Sequence, residues 1–147
     1  VSIAERTAQT VWTGALATGG GILTGTSGAL DGQAVSWASR TEQPGGKTSP
    51  EELAAAAHSS CFSMALALVL GQNKLSPTTL TVAATVTLAE VDGVPTIVSS
   101  ALTVKGDVPG TDAAGFQGLV DEAAKLCPIS RLFAGAAITV DAVFETA

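Results

Sequence analysis

An α+β fold with antiparallel sheet and one long, buried central helix is predicted for this chain, and three observations carry it. The stretch Thr48 to Gly71, TSPEELAAAAHSSCFSMALALVLG, is apolar almost throughout and has helix start and stop signals at its ends. Asp-Gly pairs at Asp31-Gly32 and Asp92-Gly93 each join runs suited to strands, as hairpin turns do. The order of elements, three strands, one long helix, two strands, one or two helices and a last strand, separates strands from helices instead of alternating them.

The first third reads as a meander. Thr7 to Thr18, with Val11, Trp12 and Leu16, suits a strand broken by Gly19-Gly20-Gly21. A second strand runs from Ile22 to Leu30, and a third from Gln33 to Ser39, with Arg40 at its end. The glycine triplet is a turn and not a phosphate loop, because neither a helix nor a Lys-Ser/Thr pair follows it. Thr41 to Lys47 then forms a polar loop into the central helix. There Ser49 is the expected N-cap, Pro50 the first helical residue, Glu52 the partner in a capping box and Gly71 the closing C′ glycine. The apolar residues of this helix keep to no single stripe, so it must be covered nearly all round.

Two long alternating runs follow, Thr78 to Val91 and Pro95 to Val104, rich in Thr and Val as strands with one wet face are. Thr111 or Asp112 caps a helix from Ala113 to Leu126, with Phe116, Leu119, Val120 and Ala123 on one face. Pro128 disfavours helical backbone at Cys127 and opens a short helix to Phe133, which puts Cys127 at a helix junction with free backbone N–H groups nearby that would favour a thiolate. Ile138 to Phe144 is the last strand.

Composition narrows the function. The 147 residues are most simply one domain, 1–147, large enough for a core without staples. Net charge is −6 and no Lys/Arg cluster occurs, which excludes a nucleic-acid partner. The central helix raises the question of a membrane span, but His58, Ser59, Ser60 and Cys61 interrupt it, and the N-terminal stretch has no signal-peptide pattern. The expectation is a soluble, cytoplasmic protein that engages no membrane.

Two cysteines, Cys61 and Cys127, and one histidine cannot complete a four-ligand zinc site or a disulfide framework. If the thiols act, the chemistry is redox or nucleophilic; otherwise both are buried apolar filler. A thiol in mid-helix is disfavoured as thiolate by burial and gains little from the dipole, so a cation must reach Cys61 for it to react. Arg40 is the candidate, against a plain reading as a solvated surface arginine. Glu51, in the first helical turn, could grip that arginine by its fork. Glu51 lies about 15 Å from Cys61 along the helix axis at 1.5 Å per residue, so a compact Cys–Arg–Glu site is easier between two antiparallel copies of the helix than within one. His58, three residues before Cys61, could be a base in a cysteine hydrolase, or simply a packed histidine. Phe62 and Met64 read as core, and Trp12 and Trp37 as strand packing.

The segment SPEELAAAAHSSCFSMALAL, followed by the LCPIS segment around Cys127, resembles the OsmC/Ohr family of osmotically inducible and organic hydroperoxide resistance proteins. The likeness spans almost the whole chain, including VPG at Val108 to Gly110. It implies an intertwined homodimer whose sheets wrap the central helices. It also implies a thiol-dependent peroxidase acting preferentially on organic hydroperoxides, with no bound cofactor and an external dithiol, lipoyl in type, as reductant. By the same resemblance Cys61 is the peroxidatic cysteine and Cys127 the resolving one that closes a disulfide with it. Arg40 stabilises the thiolate and Glu51 orients Arg40. In the Ohr branch the arginine comes from the turn between the first two strands, where this chain has Gly19-Gly20-Gly21, so the resemblance is to the OsmC branch. Two rivals stay open: the hydrolase using His58 and Cys61, and a non-catalytic dimeric module binding an apolar ligand.

Overall fold

A computed structural model describes residues 1–145. The chain folds as two compact units, the first ending at Leu53 and the second beginning at Ala54.

In the first unit β1 (Ala8–Thr13), β2 (Gly20–Gly25) and β3 (Ala34–Val35) form an antiparallel sheet in the order β1-β2-β3. The meander is as expected, with shorter strands. Gly14, at φ 90°, turns the chain out of β1 well before Thr18. Beyond Gly25 the chain leaves the sheet in a loop, returning where Leu23 and Gln33 pair through a 2.8 Å backbone bond. Gly32 takes a positive φ of 83° as the hairpin signal requires, but the turn closes this longer loop and not a two-residue one.

The third strand is the main departure. It stops at Val35, and Trp37–Thr41 is a helix, α1. The reason is a reciprocal cap: Ser36 Oγ accepts from the Ser39 N–H at 3.1 Å and Ser39 Oγ accepts from the Ser36 N–H at 2.9 Å. Each serine thereby satisfies an N–H that strand pairing would otherwise have needed. Trp37 and Arg40 therefore stand on a helix, and Arg40 does not end a strand.

Helix α2 runs Pro50–Gln72. Ser49 Oγ accepts from the Glu52 N–H at 3.1 Å, but the Glu52 carboxylate accepts from Thr48 Oγ1 at 2.6 Å, so only half of the expected capping box forms. The closing residue is Lys74 rather than Gly71. Leu75 N–H donates to Leu70 C=O at 2.9 Å and Lys74 N–H to Gly71 C=O at 3.0 Å, a Schellman pair with Lys74 in left-handed backbone at φ 59°.

The second unit is built on the sheet β4-β5-β6, made of β4 (Thr79–Val91), β5 (Val94–Asp107) and β6 (Ala137–Glu145). Asp92 and Gly93 are both at positive φ, 52° and 78°, between the paired Val91 and Val94, which is the twist-matched two-residue hairpin. β6 corrects the antiparallel expectation: it pairs parallel to β5, with Leu102 opposite Val140. Helices α3 (Ala113–Leu126) and α4 (Pro128–Leu132) intervene, and a connection of that length returns the chain to the end from which β5 started. Asp112 caps α3, accepting from the Gly115 N–H at 2.8 Å.

The core packs Phe62, Leu66, Val69 and Leu70 of α2 against Leu102 and Val104 of β5 and Phe116, Val120 and Ala123 of α3. Each such side chain contributes about 1.5–3 kcal/mol on leaving water. Gly106 continues the inward face of β5, and a Cβ there would lie 2.5 Å from the Phe116 ring; only glycine lets that ring rest on the strand. Within one chain α2 packs on this side, while Ser60, Met64, Ala67 and Leu68 on its other side are exposed, so the expected all-round cover is not supplied by the single chain.

Candidate active site

In the first unit α1 and the start of α2 position an ion pair. Arg40, in the last turn of α1, donates from Nε to both Glu51 oxygens at 3.0 and 3.1 Å and from Nη2 to Oε1 at 2.7 Å. A fork held at two nitrogens is fixed in plane and direction as a single contact could not fix it. The guanidinium also lies 6.0 Å from the Trp37 ring centroid, within the range of a cation–π contact. Trp12, Leu16, Trp37 and Pro50 join Arg40 around a cleft of about 80 Å³, so the cation faces apolar walls. The plain reading of Arg40 as a solvated arginine does not hold, since Glu51 and Trp37 engage it.

In the second unit α2 and the α3–α4 junction bring the two cysteines together. Cys61 and Cys127 are 3.6 Å apart, both free thiols. Cys127 has extended backbone, at φ −60° and ψ 115°, because Pro128 follows it. It is fully buried, while Cys61 is half-buried. Burial pushes the Cys61 thiol above its ordinary range. The Ile129 backbone N–H, in the first turn of α4, bonds to it and acts in the opposite sense; the neighbouring Cys127 raises it further. The pair is thus in reach of a disulfide, and Cys61 needs a further positive influence to react as a thiolate.

His58 answers the hydrolase reading. Its Nδ1 lies 2.6 Å from Ser100 Oγ on β5 and its Nε2 2.7 Å from Ser130 Oγ on α4, so neither ring nitrogen is left for Cys61. The ring has no exposed surface, meets Phe133 edge-on at 5.4 Å, and burial lowers its pKa, which keeps it neutral. One ring nitrogen then donates to its serine and the other accepts. Sequence reasoning passed over both serines. Ser100 did carry a signal: it shares the inward phase of Leu102 and Val104, and a hydroxyl at a core position calls for a buried partner. Nothing in the sequence singled out Ser130; the Ile129 N–H is one of the free helix-start donors expected at the Cys127 junction, but it acts on Cys61.

Comparisons with known proteins agree with this architecture. A family model described as OsmC-like protein matches residues 43–142. Peroxiredoxin OsmC of Escherichia coli (strain K12) is 41% identical over 133 residues, which cover 90% of this chain and 92% of that protein. Among solved structures, an organic hydroperoxide resistance protein from Elizabethkingia anophelis superposes with a TM-score of 0.76 at 26% identity, covering 99% of each chain. The organic hydroperoxide resistance protein OhrB of Bacillus subtilis does so with a TM-score of 0.72 at 26% identity, covering 95% of this chain and 98% of that one.

Proposed function

Because the chain belongs to the OsmC-like protein family, for whose named relatives a peroxidase-type role is the common thread, we propose that it reduces organic hydroperoxides to alcohols by a two-cysteine cycle. The observation that carries this reading is the approach of Cys61 and Cys127 to 3.6 Å. In the cycle the Cys61 thiolate attacks the outer peroxide oxygen, the O–O bond breaks, and the alkoxide leaves and takes up a proton as the alcohol. Cys61 is then a sulfenic acid. The Cys127 sulfur displaces its oxygen as water, leaving a disulfide, and an external dithiol of lipoyl type restores both thiols by exchange.

Arg40 is the cation proposed to favour the Cys61 thiolate, with Glu51 orienting it. The two-nitrogen grip of Glu51 on Arg40 supports that division of labour. We propose that the enzyme works in the cytoplasm as a homodimer with shared sites; the apolar face of α2 that one chain leaves open supports the second copy. The apolar surroundings of both half-sites favour a hydrocarbon tail over hydrogen peroxide.

The test is consumption of cumene hydroperoxide with dihydrolipoamide by the purified protein, beside hydrogen peroxide and beside Cys61→Ser, Cys127→Ser and Arg40→Lys. Turnover should prefer the organic peroxide, vanish in Cys61→Ser and stop after one oxidation in Cys127→Ser. Arg40→Lys keeps the charge but loses the fork, and should cost about 10–100-fold in kcat/KM, the worth of a charge-assisted bond. Thiols that survive peroxide would instead favour a non-catalytic module binding an apolar ligand.

A further inference from the structure

We infer that His58 is a positioning residue for Cys127: through Ser130 it holds α4, and with it the resolving thiol, against Cys61, and so sets how fast the disulfide closes. This rests on the two-cysteine reading above.

The argument starts from the size of α4. Five residues make little more than one turn, too short to hold an orientation by its own backbone bonds. Its direction must come from side chains. Two of them end on one group: Ser130, bonded to His58 Nε2 at 2.7 Å, and Phe133, just past the helix, with its ring against the imidazole at 5.4 Å. Ser130 is three residues after Cys127, and His58 is three residues before Cys61, one helical turn in each case. The His58–Ser130 bond is therefore a rung between the turn that carries one cysteine and the turn that carries the other. The second ring nitrogen is tied to Ser100 on β5, which itself has no exposed surface, so the rung is braced against the sheet.

This matters because the sulfenic acid on Cys61 has two fates. Cys127 can attack it, forming the S–S bond and breaking the S–O bond as the oxygen leaves in water; Cys127 is oxidised and Cys61 reduced by one step. A second hydroperoxide can instead transfer its outer oxygen to Cys61, giving a sulfinic acid and a second alcohol, a product that dithiols do not recover. A held Cys127 favours the first fate.

The experiment exposes each protein to a fixed excess of cumene hydroperoxide, quenches with an alkylating agent, and reads the ratio of Cys61 sulfinic acid to Cys61–Cys127 disulfide by mass spectrometry. Ser130→Ala should raise that ratio about fivefold or more, the equivalent of one buried hydrogen bond. Ser130→Thr, which keeps the hydroxyl, should return it towards wild type. Ser100→Ala also removes one bond from His58 but leaves the rung itself, and should change the ratio less. A purely structural role would move Ser100→Ala and Ser130→Ala alike. An unchanged ratio in Ser130→Ala, or an equal rise in Ser100→Ala, overturns the positioning role while leaving the peroxidase standing. A wild-type protein that forms no disulfide at all overturns the two-cysteine reading, and this inference with it.

Discussion

Cys61 sits where two raising influences and one lowering influence meet, and the raising ones can be separated by substitution. Cys127→Ala removes the neighbouring thiol, which raises Cys61, and leaves burial and the Ile129 N–H in place. The Cys61 pKa should therefore fall, and alkylation of Cys61 by iodoacetamide at neutral pH should be faster in the variant than in the wild type. A slower reaction would mean that Cys127 aids the thiolate. His58 titrates in the opposite direction, with a consequence for stability. Burial lowers its pKa in the folded chain, so as pH falls the unfolded chain takes up the proton first. Its contribution is complete above the unfolded value of about 6.5 and is lost as pH falls through it, until the folded imidazole protonates too. For one proton the slope is at most about 1.4 kcal/mol per pH unit. Urea unfolding across the mildly acidic range should show that slope in the wild type and a shallower one in His58→Gln.

At the scale of elements, what could be read from the sequence was what local chemistry decides by itself. Pro50 after Ser49, Asp112 before a periodic run and Asp92-Gly93 between alternating runs each specify their own backbone, and each element formed as expected. The misreadings occurred where a partner decides. Gln33 to Ser39 has the pattern of a strand, but Ser36 and Ser39 satisfy each other and turn the chain into α1. β6 has the alternation of any strand, and its parallel pairing depends on where α3 and α4 deliver it. The Arg40–Glu51 pair was legible from an arginine at the entry to α2 and a carboxylate in its first turn, whereas the pairing of Cys127 with Cys61 became legible only through the resemblance, because spacing along the chain does not reveal a 3.6 Å approach. The end of α2 departs from its sequence signal for a similar reason: Gly71 has the residue type of a stop, but Leu75 reaches the core from a position that puts Lys74 at φ 59°. A lysine in that backbone region carries a steric cost of about 1–2 kcal/mol, only partly offset by the greater unfolded freedom of glycine. Lys74→Gly should therefore raise the unfolding free energy by about 0.5–1 kcal/mol in urea titration. A loss of stability would mean that the lysine side chain itself holds the turn.

At the scale of the whole molecule the exposed outer face of α2 calls for a cover. Met64 is 71% exposed and Leu68 57%, on a helix whose opposite face is fully packed, and Ala67 and Ser60 beside them are small enough for another backbone to approach closely. Removing such surface from water is worth about 25 cal/mol per Å², a gain that a second copy of the same helix would realise on both sides at once. The proposed homodimer is supported by this face, and a charge tests it. Met64 points away from the packed core of its own chain, so Met64→Glu should leave the fold intact by circular dichroism. In sedimentation it should convert a dimer to a monomer, since burying an unpaired carboxylate in an apolar interface costs several kcal/mol. Peroxide turnover should fall with the dimer if the sites are shared between copies, and survive if each chain is complete. A variant that stays dimeric would move the interface to another face, and a wild-type protein that sediments as a monomer would remove the homodimer and require Arg40 to serve Cys61 within one chain.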